Sequence, residues 1–247
     1  MDHGIWGTWY NLREDARAEY LRWTDEEYFP FLQSQPGYAW VAHYRNVGGG
    51  TDMDKLADSL TRPGAEVPVG GQFLQLVGAP SPHVFFAPLV SKLKMPASFQ
   101  QYLDLRTDVV TNIMTEVARV NGPAIHKRPD GTTCAPAIQM GTFRYRSPEE
   151  EFSLGEWYAQ YRLPHTARMP GCIGTRKLVS VAGWAKHGVL YEFDSLESRL
   201  RDFELPHERL ALDPKEWTGK IVAATIHIPG SPVIGPRIWP PVPEDMA

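Results

Sequence analysis

The sequence predicts an α+β protein made of two copies of one β-α-β-β-α-β unit, whose four-stranded antiparallel sheets pack into one intrachain barrel. Three observations carry this. Residues 7–37 laid over 141–171 without a gap match at Gly7/Gly141, Thr8/Thr142, Trp23/Trp157, Pro30/Pro164, Pro36/Pro170 and Gly37/Gly171. Each copy alternates short aromatic and β-branched runs with longer stretches of helical spacing. A sheet with helices on one face must bury the other, and two such sheets in one chain bury theirs against each other around a central cavity.

The first strand is GIWGTWYNL in one copy and AIQMGTFRYR in the other, both short and bounded by turn or charge signals. Helices follow in EDARAEYLRWTDEEYFPFLQS and SPEEEFSLGEWYAQYRLPHTARM. In the second of these, Ser147 is placed to cap, Pro148 to open the first turn and Glu149, Glu150 and Glu151 to meet the positive end of the helix dipole. Pro36-Gly37 and Pro170-Gly171 stop the helices, and second strands follow in YAWVAHYRNV and CIGTRKLVSVAG. Third strands lie in GQFLQLVGA and HGVLYEFDS, second helices in PASFQQYLDL and SLESRLRDFELPHERLAL, and closing strands in TNIMTEVARVNGP and GKIVAATIHIPGS. The units then span 1–123 and 137–230, with a polar linker at 124–136 and a Pro-rich tail of polyproline-like composition at 231–247. VGGGTD at 47–52 lacks the Lys-Ser/Thr of a phosphate loop and reads as a turn.

Composition narrows the function. With 43% hydrophobic and 22% charged residues and a formal charge of -4, the 247-residue chain has the makeup of a soluble globular protein, and its scattered basic residues argue against a nucleic-acid partner. No apolar run approaches a membrane span, the N-terminus lacks the pattern of a signal peptide, and the cytoplasm is the expected compartment. Cys134 and Cys172 share no metal-ligand spacing and are expected to be reduced, so no metal site is predicted. GxGxxG, GxSxG and HExxH are all missing, which leaves nucleotide, serine-hydrolase and zinc readings without support.

The series Trp157, Tyr161, His165, Pro170-Gly171, followed by VLYEFDSLESRLRDFE, resembles the EthD-type domain of the dimeric α+β barrel superfamily, here in tandem form with one chain supplying both ferredoxin-like halves. The resemblance covers about 90 residues of the C-terminal half and reaches the N-terminal half through the internal repeat. It implies a small-molecule protein, since members include cofactor-independent monooxygenases, polyketide cyclases, lactone isomerases and haem enzymes with a histidine ligand in the C-terminal half.

His165 aligns with Phe31, so a role shared by both copies does not explain the imidazole, and its titration range suits proton transfer. Arg168 lies three residues on, on the same helical face, with Tyr161 one turn earlier. Alternation in VAATIHI sets Thr225 and His227 apart from an apolar face, predicting that they point into the barrel with Arg119 in the pseudo-symmetric position. By the same alternation Arg144 shares a face with Met140 and Thr142, and His43 with Ala39 and Val41. Trp9 joins the substrate contacts as one of eight tryptophans, a residue type that lines pockets for flat ligands as well as filling cores.

The expectation is an enzyme without a bound cofactor, doing isomerase, lyase, dehydratase or cyclase chemistry on a small apolar, aromatic or polyketide-like carbonyl or phenolic compound. His165 would move the proton, and His227 with Arg144 or Arg168 would steady the oxyanion. Two alternatives stand beside it: a haem barrel with His165 or His227 as ligand, and a non-catalytic small-ligand carrier. Exposed strand edges or the tail leave a homodimer open.

Overall fold

The computed structural model describes residues 2–48, 71–128, 134–227 and 231–243. The VGGGTD turn lies mostly outside these residues, as do the middle of the linker and the end of the tail. The strands are β1 Gly4–Leu12, β2 Trp40–Arg45, β3 Phe73–Ala79, β4 Arg106–Asn121, β5 Ala137–Tyr145, β6 Cys172–Ala182, β7 His187–Phe193, β8 Thr225–His227 and β9 Val233–Trp239. Neighbours run β7-β6-β4-β1-β3-β2-β9-β5, and β5 pairs back onto β7, closing an eight-stranded antiparallel barrel with β8 as an extension on β5.

Two strand pairings join the halves, β4 with β6 and β9 with β2. β4 pairs with β1 of its own half and then, from Ile113 to Asn121, with β6 of the other. β5 is met by β8 at Phe143–Tyr145 and by β9 at Ala137–Met140, so β8 and β9 are two pieces of one closing strand interrupted between His227 and Val233. β9 then reaches β2, with Tyr44 opposite Arg237 and His43 opposite Trp239.

This corrects two expectations. Residues Trp217–Ala223 form a helix that buries Thr218 and Ile221, so the predicted closing strand shrinks to three residues. The Pro-rich segment supplies the rest. Its prolines argue against a strand, yet Pro236 sits where β5 asks only for pairing through its neighbours, and the Arg237 N–H donates to the Pro136 carbonyl.

The internal repeat holds in the helices and slips in the first strands. Helices Glu14–Trp23 and Pro148–Trp157 each widen into a five-residue π segment, Thr24–Tyr28 and Tyr158–Arg162, in the gapless register. Pro30 and Pro164 each follow at the second position of the next α-helical turn. A proline there lacks its N–H and crowds the preceding turn, and the wider π turn gives it room. In the strands, a Cβ on Gly7 would meet Trp9 and Leu76 inside the barrel, whereas one on Gly141 would meet Val189 on the helix side. Those two glycines therefore face opposite ways.

The barrel interior is filled. Ile5, Trp9, Trp40, Tyr44, Leu76 and Met140 belong to one buried cluster there, where a cavity was expected. Beyond it, toward one end, sits a buried ion network. Arg176 Nη1 lies 2.9 Å from Asp2 and its Nε donates to Glu192 at 3.0 Å, while Arg119 Nη2 reaches Asp2 at 2.8 Å and Glu116 at 2.7 Å. With Arg128 3.5 Å from Asp2, three carboxylates face three guanidinium groups. Although burial favours the neutral acids, Arg176 and its neighbours hold both Asp2 and Glu192 below the usual carboxylate range.

Candidate functional site

With the interior packed, the open space lies between the sheet and the helices. In the C-terminal half a crevice runs over the outer face of β5 and β7, roofed by the Pro148–Trp157 helix, its π extension and the Trp217–Ala223 helix. Its cavity volume is about 80 Å³. Phe143, Leu154, Trp157, Val189 and Ile221 make its walls apolar. The polar groups lining it include Gln139, Tyr158, Arg162, Tyr191, Thr218, Thr225 and His227.

Each is set by its element. β8 alternates so that Thr225 and His227 share a face, as expected, but that face is the helix side and not the barrel interior. His227 stacks on Phe143 with ring centroids 5.3 Å apart, and its Nδ1 is shielded from water and has no partner among the described residues. Burial pulls the imidazole down to about 4 and keeps it neutral at pH 7. Tyr158 is buried, which drives its phenol well above the ordinary value, so it stays a hydrogen-bond donor. Arg162 Nε donates to the Tyr191 hydroxyl at 2.8 Å, and its guanidinium lies 4.5 Å from the Phe203 ring centroid and 5.1 Å from Trp157 and Tyr191. The π turn is what swings Tyr158 and Arg162 onto this inner face.

Behind Phe143 and Tyr158 stands a titratable chain that gives no sign in the sequence. Lys177 Nζ lies 4.9 Å from the Tyr158 ring and 5.4 Å from Phe143, and contacts His187 Nδ1 at 3.2 Å. His187 Nε2 meets Glu151 at 3.2 Å, and Lys186 also bonds Glu151. Burial brings the Lys177 amine down to about 7, and burial with Lys177 alongside brings His187 to about 4. Lys177 and His187 stand on neighbouring strands β6 and β7, a juxtaposition that pairing alone creates.

The other predicted residues scatter. His165 and Arg168 are together, as spacing implied, but they line a separate surface cleft with Asp202 and Pro206. His165 stacks on Tyr161, 5.9 Å between centroids, and Tyr161 in turn neighbours Trp157 and Trp217. Partial burial, then Arg162 and Arg168, lower the His165 value. Arg144 folds over Trp184, 4.7 Å from its ring, and donates to the Trp184 carbonyl at the barrel end. Arg119 is committed to Glu116 and Asp2, so it does not oppose His227. His43 faces the helix side with Val41 and accepts or donates at 2.7 Å with the Tyr10 hydroxyl; burial drives it to about 3. Trp9 is core, 2% exposed. Of the residues expected to act together, the structure brings only His227 to the crevice.

The architecture is that of the ferredoxin-like α+β barrels, with both halves in one chain. No family model matches the chain, and no curated protein matches its sequence. Solved structures match nearly end to end. A candidate monooxygenase from Fusobacterium nucleatum is 10% identical, with 95% of this chain and 93% of that one covered at a TM-score of 0.58. An anthrone oxidase-like protein is 11% identical over 96% of this chain and 91% of that one, also at 0.58. A candidate chlorite dismutase is 14% identical over 96% of each chain at 0.54. At such identities the likeness shows the fold alone. Among the described residues no helix is long and apolar enough to cross a membrane, and no group of three or more His, Cys, Asp or Glu is placed to hold a metal ion.

Proposed function

We propose that the protein is a small-molecule enzyme moving a proton in the C-terminal crevice, on a slim planar carbonyl or phenolic compound, without a bound cofactor. The observation that carries this is the neutral His227 imidazole, with an unpartnered nitrogen, facing an apolar slot shared with the Tyr158 hydroxyl. A neutral imidazole has a lone pair to take the proton, and a phenol held protonated donates to the substrate oxygen as charge grows there. The imidazolium and oxyanion then stabilise each other in low dielectric, which offsets the weak basicity that burial imposes. Arg162 steadies the Tyr191 hydroxyl, which is itself in hydrogen-bond contact with Tyr158.

A cofactor-free reading is preferred to haem at His227 because Trp157, Arg162, Tyr191 and Phe203 pack on one another beside it, which favours a smaller ligand in this crevice.

The test follows exchange of the α-proton or ring proton for deuterium in D2O by NMR, over a panel of one- and two-ring enolisable ketones and phenols. At least one compound should exchange faster with the protein than in buffer, with a rate that rises through about pH 4 and then levels, as the His227 value requires. His227→Phe should slow it by about 10²–10⁴-fold. Wild-type exchange in His227→Phe, or no compound exchanging above buffer, would overturn the proposal.

A further inference from the structure

The N-terminal half carries its own cleft on the outer face of β1 and β4, and it is roomier than the C-terminal crevice, about 530 Å³ against about 80 Å³. That size is ordinary for a small-molecule site. Thr8, Thr111 and Ile113 lie on its sheet side, Leu89, Leu93 and Met95 form an apolar wall, and Trp6, Tyr28 and Arg106 complete it.

Arg106 is placed differently from the arginines of the ion networks. Arg119, Arg128, Arg176 and Arg199 each meet a carboxylate. Arg106 instead lies over two tyrosine rings, 5.4 Å from the Tyr10 centroid and 5.8 Å from Tyr28. Among the described residues its Nε, cut off from water, has no acceptor; the guanidinium is hydrogen-bonded to the Tyr28 side chain, and no carboxylate pairs with it. Guanidinium is always charged, and the ring faces offset only part of the cost of taking it out of water. In the same cleft Trp6, 6% exposed, also keeps its indole N–H without an acceptor. Native proteins rarely leave buried donors unused, and here two sit in one cleft beside an apolar wall.

We propose that this cleft is a binding site for an apolar monocarboxylate, its carboxylate on the Arg106 fork and its hydrocarbon body against Leu89, Leu93 and Met95. A planar carboxylate matches the guanidinium edge, and both unused groups are donors, so the missing partner is an acceptor-only, anionic head. The site is independent of the C-terminal crevice and of the reaction proposed there.

Calorimetric titration with 2-naphthoate and its neutral amide, 2-naphthamide, tests this. The acid should bind, and the amide should bind about 10- to 100-fold more weakly, the span expected for a charge-assisted hydrogen bond. Arg106→Gln should erase the difference between acid and amide. Should that variant not fold, Leu93→Trp, at a half-buried wall position, fills the cleft with Arg106 left in place and should abolish binding of both. The proposal is overturned by equal affinity for acid and amide, by no measurable binding of the acid at millimolar concentration, or by binding that Leu93→Trp leaves intact.

Discussion

Replacing Arg176 by Met strips the barrel's ion network of its central cation. The guanidinium is fully buried, lies 2.9 Å from Asp2 and 3.0 Å from Glu192, and its plane sits 5.8 Å from the Trp40 ring centroid. Met fills much of the volume but leaves two buried carboxylates short of their main partner, a change that costs about 3–5 kcal/mol. At about 2–4 °C per kcal/mol for a chain of this size, the melting temperature should fall by roughly 6–20 °C. Thermal unfolding followed by circular dichroism at pH 7 and pH 3 reads this directly. Asp2 and Glu192 have folded values below their unfolded ones, so their share of stability is full above the unfolded value of about 4 and is lost as pH falls through the folded values. The gap between wild type and variant should therefore narrow on acidification. A drop under about 2 °C at pH 7, or a gap that widens at pH 3, would refute the reasoning.

Lys177 supplies a dependence of the opposite kind. Its folded value of about 7 lies below the unfolded lysine value, so the unfolded chain binds more protons between the two and stability rises with pH across that window; in Lys177→Met, chemical-denaturation midpoints measured from pH 7 to 10 should lose that rise. Gly78→Ala tests the packing of β3, because its Cβ would lie 2.1–2.5 Å from the Trp40 ring and that indole is fixed by a 2.8 Å hydrogen bond to Asp2. The overpacking should cost about 3 kcal/mol, seen as a lower denaturation midpoint, and an unchanged midpoint would mean that Trp40 moves freely.

Two of the helices were legible from matching signals. Trp23/Trp157, Pro30/Pro164 and the two Pro-Gly stops mark equivalent helices down to the same π turn, since packing and backbone demands recur wherever the unit recurs. The closing strand was not legible. Ala-bearing 217–223 has strand-like alternation but folds as a helix against the Pro148–Trp157 layer, and the prolines of 231–241 disguise β9. Of the residues that line the proposed crevice, alternation in the sequence singled out only Thr225 and His227. Which face that pair occupies depends on how β8 docks on β5, a contact between segments some 80 residues apart.

What the sequence by itself determined is the α+β class and the lack of any motif for phosphate, zinc or acyl-enzyme chemistry, because these rest on local spacing. Which groups face one another was decided by the tertiary structure. Lys177 meets His187 through strand register, Arg106 meets tyrosine rings with no carboxylate partner among the described residues, and Arg119 turns from a cavity residue into a member of an ion network. The barrel interior filled with Trp9, Trp40 and Tyr44 because two apolar sheet faces, once pressed together, leave no room for water. The space for chemistry moved outward, to the seams between sheet and helices.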